Sequence, residues 1–141
     1  MTDVESLREL PNVHRLGLKP YSALPHYARG FDVGIIPFRT NELTVRANPL
    51  KLREYLAAGL PVVATPLPEM ARYDGLVYLA DGRDAYIAQI EAALRERTET
   101  SAQRRVDAMQ PEGWNTQVAE ISVLVSRHLE QRSWRQSAVT L

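Results

Sequence analysis

The chain has 141 residues, of which 45% are hydrophobic and 24% charged, and its 17 acidic side chains balance 17 basic ones. That length suits one globular domain with its own core, and the lack of a basic surplus argues against nucleic acid as a partner. The absence of cysteine removes disulfides, thiolate catalysis and cysteine-based zinc sites, and no apolar run approaches the ~20 residues of a membrane helix.

In chain order, residues 1–6 are acidic and polar, unlike a secretory signal. With no cysteine, that fits a cytoplasmic protein. Residues 12–16 form a short apolar run that predicts a first strand. Residues 22–29 predict a short helix, with Ser22 as N-cap and Gly30 as stop. Residues 31–37 follow as a second strand. Their unbroken apolar core, Val33-Gly34-Ile35-Ile36, fits a strand covered on both faces of a parallel sheet.

Residues 49–58 give the clearest helical pattern. Asn48 reads as N-cap and Pro49 as the first helical residue, with Gly59 and Pro61 as the stop. Leu52, Tyr55 and Leu56 then share one face. Residues 61–65 predict a third strand and 76–80 a weaker fourth. Residues 84–97 predict a helix with Ile87, Ile90, Ala93 and Leu94 inward. Residues 98–113 read as a polar hinge or short helix. Residues 115–131 read as a long amphipathic helix carrying Val118, Ile121, Leu124, Val125 and Leu129, and the tail beyond Arg132 is expected to fray. The order predicts an α/β layered domain.

The stretch from Asn48 to Thr65 carries the chemistry. In open parallel sheets, ligands sit beyond the carboxyl ends of the strands, where the loop 38–47 and the following helix start would lie. Unpaired N–H groups in the first helical turn suit an anion. Lys51 lies in that turn, and Glu54 follows three residues later on nearly the same side. Two readings stand on spacing alone. The pair either holds a phosphate and a sugar diol, or forms a solvated ion pair on an amphipathic helix.

Asn48-Pro49-Leu50-Lys51, Glu54-Tyr55-Leu56-Ala57-Ala58-Gly59 and Pro61-Val62-Val63-Ala64-Thr65 closely resemble the donor-site segment of GT-B glycosyltransferases, of the retaining group 1/family 4 type. Asn12-Val13-His14-Arg15-Leu16-Gly17, Tyr21, Leu24-Pro25, Tyr27, Phe31 to Phe38 and Pro66-Leu67-Pro68-Glu69 extend the likeness. The resemblance implies a partial Rossmann-like parallel sheet with flanking helices: a GT-B C-terminal domain without its first strands. Residues 1–113 would form the incomplete nucleotide-sugar-binding domain, and 114–141 the C-terminal helix and tail.

By the same resemblance, Glu54 binds the ribose and Lys51 contacts the diphosphate as the catalytic residue. Asn48, Pro49 and Leu50 open the helix whose N-terminus stabilises the leaving group, and the loop from Gly17 to Tyr21 meets the base. The implied reaction is sugar transfer from a nucleotide diphosphate donor with retention. The donor is a substrate, and neither cofactor nor metal is expected; no Asp-x-Asp pair is present. The acceptor would be a carbohydrate or glycolipid in polysaccharide assembly, at the inner face of the cytoplasmic membrane.

Three departures from the family pattern stand out. Arg46 occupies the position of a second glutamate found in many members, and reads as a mark of a subfamily, or as a further phosphate contact. The glycine-rich loop and basic residue of earlier strands are missing. So are two strand-helix units and the acceptor domain, which leaves a gap in the family's 3-2-1-4-5-6 sheet order. The first strand is expected to re-pair, or an open edge to invite a partner chain. A non-catalytic nucleotide-sugar-binding subunit and a truncated remnant that needs a chain with the acceptor domain are the alternatives to an active enzyme.

His14, His26 and His128 lack metal spacing and read as structural or surface residues, and Asp32 as a turn or cap. Glu69 reads either as a donor-pocket residue or as a cap. Trp114 is expected to anchor the last helix by packing.

Overall fold

The computed structural model describes residue 7, residues 9–96 and residues 98–138. Residues 1–6, the helix end expected at Arg97 and the last three residues of the tail lie outside these. Three parallel strands, β1 (Gly34–Ile36), β2 (Val62–Ala64) and β3 (Val77–Leu79), lie in the order β1-β2-β3. Gly34 pairs with Val62, and Val62 in turn with Val77. Each strand falls inside one of the apolar runs at 31–37, 61–65 and 76–80. The central strand is buried throughout, as the unbroken Val-Val-Ala sequence requires of a strand with helices on both faces.

Among the described residues, five α-helices accompany the sheet: α1 (Leu24–Arg29), α2 (Leu50–Ala57), α3 (Arg83–Arg95), α4 (Glu99–Met109) and α5 (Trp114–Ala138). On one face, Leu52 and Leu56 of α2 pack with Ile36, Val62, Ala64, Leu67, Met70, Tyr73 and Met109. On the other, Val63, Ala80 and Ala93 form a smaller core with Val33, Tyr78, Tyr86 and Ile90. The fold is therefore α/β, a partial Rossmann-like sheet with α2 and α4 on one side and α3 on the other.

Two glycines allow close approaches. A Cβ on Gly34 would lie 2.5 Å from the ring of Tyr55, so only glycine in β1 leaves room for that side chain. Gly59 ends α2 with φ +77°, and a Cβ there would lie 3.2 Å from Ala102 of α4. Its carbonyl accepts a 3.4 Å hydrogen bond from the buried Arg105, whose guanidinium also reaches Glu96 at 2.6 Å. Glu96 in turn accepts a hydrogen bond from the Tyr78 hydroxyl. This chain of contacts clamps α4 to the sheet and to the end of α3.

Several expectations need correction. Residues 12–16 are turn and irregular chain, not a strand. A strand needs a neighbour to satisfy its backbone groups, and among the described residues the sheet ends at β1. Of the two readings of segment 98–113, the helix holds and the hinge does not: α4 fills most of it, opened by Thr98, whose hydroxyl accepts from the Ser101 N–H at 3.1 Å. The last helix does not fray at Arg132 but runs to Ala138. Trp114, expected to pack, is 79% exposed. Val118, Ile121, Val125 and Leu129 are exposed too, because α5 leans mainly on the turn Gln110–Glu112.

Candidate functional site

The helix α2 places the site. It starts where the chain leaves the loop after β1, and its buried Leu52 and Leu56 fix which face remains outward. That face carries Lys51, Glu54, Tyr55 and Ala58, which form one wall of a cavity of about 680 Å³. The segment from Leu16 to Tyr21, then α1 with Leu24, Pro25 and Tyr27, and finally Phe31 close the other side. A cavity of this size holds a nucleotide-sized ligand. Gly17 has φ +68°, a left-handed conformation that glycine adopts without cost, and turns the chain over the cleft.

Of the eight residues expected at the site, the fold brings Gly17, Tyr21, Lys51 and Glu54 to this cleft. Arg46, Asn48, Pro49 and Leu50 do not line it. Arg46 ends the short turn Thr44–Arg46, and Asn48 and Pro49 lead into α2. Leu50 is 58% exposed at the helix start. The N-cap of α2 is Pro49, not Asn48, and no side chain caps the helix. The Asn48 amide oxygen instead accepts a hydrogen bond from the Arg53 guanidinium, and a charged donor outcompetes a neutral backbone N–H for it.

Lys51 Nζ lies 2.5 Å from Glu54 Oε2, and 5.9 Å from the centre of the Tyr55 ring. The hydrogen bond to Glu54 raises the Lys51 ammonium above the ordinary lysine value, against a smaller opposing effect of burial, and Tyr55 and Tyr21 add to the rise. Of the two readings of this pair, the structure shows the ion pair directly, and it places that pair on the cleft wall. Exposed pairs contribute about 0–1 kcal/mol, while a hydrogen bond to a charged group contributes about 1.5–3 kcal/mol. Separating the pair therefore costs less than one good hydrogen bond from a charged side chain to a ligand returns.

Sequence reading missed two further constellations. Arg53 donates to Glu69 Oε1 at 3.1 Å and to Glu112 Oε2 at 3.2 Å, and Arg72 reaches the same two carboxylates at 3.1 and 3.3 Å. Glu69 is thereby neither a cap nor a lining residue of the cleft. Only the Glu69–Arg72 spacing was visible locally, since the other contacts cross 16 to 59 positions of chain. Beyond the carboxyl ends of the three strands, a shallower depression of about 380 Å³ is lined by Arg39, Thr40, Thr65, Asp81 and Tyr86 among others. There the Tyr86 hydroxyl donates to the Ile36 carbonyl at 2.9 Å, and Thr65 Oγ1 donates to the Phe38 carbonyl at 2.8 Å.

His14, His26 and His128 are exposed. Among the described residues, no group of three or more His, Asp or Glu side chains is placed to hold a metal ion, and no helix is long and apolar enough to cross a membrane.

Residues 2–96, which include all three strands, α2 and the whole lining of the larger cleft, match the family described as glycosyl transferases group 1. TuaH of Bacillus subtilis (strain 168), provisionally named a teichuronic acid biosynthesis glycosyltransferase, is 34% identical over 116 residues. The match covers 79% of this chain and 29% of TuaH, so the chain spans less than a third of that relative's length. No solved structure matches the chain. With its α/β fold and the family match spanning the cleft, the chain belongs to the group 1 glycosyltransferases.

Proposed function

We propose that the chain is the donor-binding part of a retaining GT-B glycosyltransferase whose substrate is a nucleotide diphosphate sugar. The observation that carries this reading is the Lys51–Glu54 pair, 2.5 Å apart on the wall of a 680 Å³ cleft that Gly17 and Tyr21 also border. In this reading the base lies against the Gly17–Tyr21 segment, Glu54 accepts from the ribose hydroxyls, and Lys51 turns to the diphosphate. Asn48, Pro49 and Leu50 set the start of α2, and Arg46 lies one turn earlier as a further cation for phosphate. The bond from the anomeric carbon to the diphosphate oxygen breaks, and its electron pair leaves on the diphosphate. The bond from that carbon to the acceptor oxygen forms as the acceptor hydroxyl loses its proton. Lys51 and the N–H groups of the first turn of α2 offset the charge that develops on the leaving group.

The acceptor is a carbohydrate or glycolipid of polysaccharide assembly, in keeping with the name of TuaH, and the setting is the cytoplasmic face of the membrane. A chain that carries the acceptor domain completes the enzyme. Titration calorimetry with UDP, GDP and dTDP tests the donor site. One of them is expected to bind, and Glu54→Ala to weaken it at least tenfold (~1.4 kcal/mol). A folded chain that takes up none of the three would sink the proposal.

A further inference from the structure

Arg53 neighbours Glu54 in α2 but points away from the cleft, and its side chain is only 18% exposed. Its guanidinium is engaged on every edge: one Nη donates to the Asn48 amide, the other to Glu69, and Nε to Glu112. The Tyr73 ring lies 5.8 Å from its centre. Among the described residues, Arg72, 56% exposed, reaches the two carboxylates and not Asn48. The contact to Asn48 therefore belongs to Arg53.

Asn48 is the last residue before the N-cap of α2. The loop upstream closes on itself: Asn41 Oδ1 accepts from the Leu43 and Thr44 N–H groups, and Thr44 Oγ1 donates to the Arg39 carbonyl. None of those bonds reaches α2. The Asn48–Arg53 contact ties the end of the loop to the helix, and Glu69 and Glu112 hold the guanidinium that makes the tie. A planar fork with fixed donors suits this task, whereas an ammonium offers no such fixed set of directions.

Building on the donor-site reading above, we propose that Arg53 is a positioning residue for the diphosphate. It holds the turn at Asn48 so that Lys51 and the first-turn N–H groups of α2 meet the phosphates in a set geometry. The base contact comes from the Gly17–Tyr21 segment and the ribose contact from Glu54, beyond the first turn of α2, and neither depends on the turn at Asn48.

The test is an NMR titration of the full chain with the nucleoside diphosphate that binds best among UDP, GDP and dTDP, and with its nucleoside. The proteins are wild type, Arg53→Lys, Asn48→Ala, the double variant and Glu54→Ala, each checked for folding by thermal melts. Arg53→Lys is expected to weaken the diphosphate at least tenfold and the nucleoside less than twofold. Asn48→Ala should give the same selective loss, and the double variant no further loss. Equal weakening of both ligands would reduce Arg53 to general support of the fold and overturn the proposal. So would an unchanged diphosphate affinity while Glu54→Ala still loses binding, an outcome that leaves the donor site standing. If the folded wild type binds no nucleotide, the donor reading falls first and this proposal with it. If Arg53→Lys does not fold, the selective loss in Asn48→Ala decides.

Discussion

At the residue scale, Glu54 and Lys51 pair with each other, and in the proposed complex each must find a ligand group instead. Replacing Lys51 by Met leaves Glu54 free for the ribose and removes only the phosphate contact. Diphosphate affinity should then fall by about 1.5–3 kcal/mol, read by calorimetry, with nucleoside affinity kept. Because the pair is half exposed on the lysine side, thermal stability should change by less than about 1 kcal/mol.

The triad of Tyr78, Glu96 and Arg105 makes a pH prediction. Burial alone pushes the Glu96 carboxyl up, but hydrogen bonds from Tyr78 and Ser101 and the charge and hydrogen bond of Arg105 together hold it below its ordinary value. A depressed carboxyl stabilises the fold above its unfolded pKa, and that stability is lost as pH falls through the folded value. Burial first, and then the bond to Glu96, pushes the Tyr78 hydroxyl up to about 12. Its share is complete below the unfolded tyrosine value of about 10 and is lost as pH rises toward 12. Urea melts across pH should show stability falling on both limbs. Glu96→Gln should flatten the acid limb and cost about 1–2 kcal/mol at neutral pH, since it weakens the partner of a buried guanidinium while that partner itself stays partly open to solvent.

At the scale of elements, the apolar runs and helix punctuation were legible because they act locally. Val62-Val63-Ala64 is a buried strand in any α/β setting, and Gly59 stops α2 by its own backbone conformation. What was not legible depended on distant neighbours. Residues 12–16 have the composition of a strand but no described strand beside them. Conversely, the sequence left α4 open between hinge and helix because its inward stripe of Ala102, Arg105 and Met109 has a charge in the middle, and only the fold supplies the Glu96 and Gly59 partners that make Arg105 a core residue. Gly59→Ala tests this packing. The left-handed φ costs roughly 1–2 kcal/mol for an L-residue, and the new methyl presses on Ala102. A drop of roughly 3–8 °C in melting temperature is expected.

For the whole molecule, four of the eight expected site residues share the cleft, three stand at the start of α2, and Arg46 ends the turn before it. The spacing from Lys51 to Glu54 placed both on one helix face, which is why that part was readable. The Arg53 cluster joins α2 to segments far along the chain, which no local pattern encodes. The last helix stands apart in another way, because its apolar side chains add little to the core. A chain that ends at Gly113 keeps Glu112 and every core residue. Its melting temperature should therefore stay within about 2 °C of the parent, since exposed helix residues away from the core change stability little.

The missing side chain at Gly34 has a reach beyond packing. Tyr55 rests where a methyl group would otherwise be, and the same ring forms part of the cleft wall. The depth of the binding site is thus set partly from behind, by a residue in the sheet that no ligand touches. A change as small as Gly34→Ala would swing the ring outward and narrow the entrance, whereas trimming Tyr55 would widen it. Ligand preference in this chain can drift through the sheet while Lys51 and Glu54 stay the same.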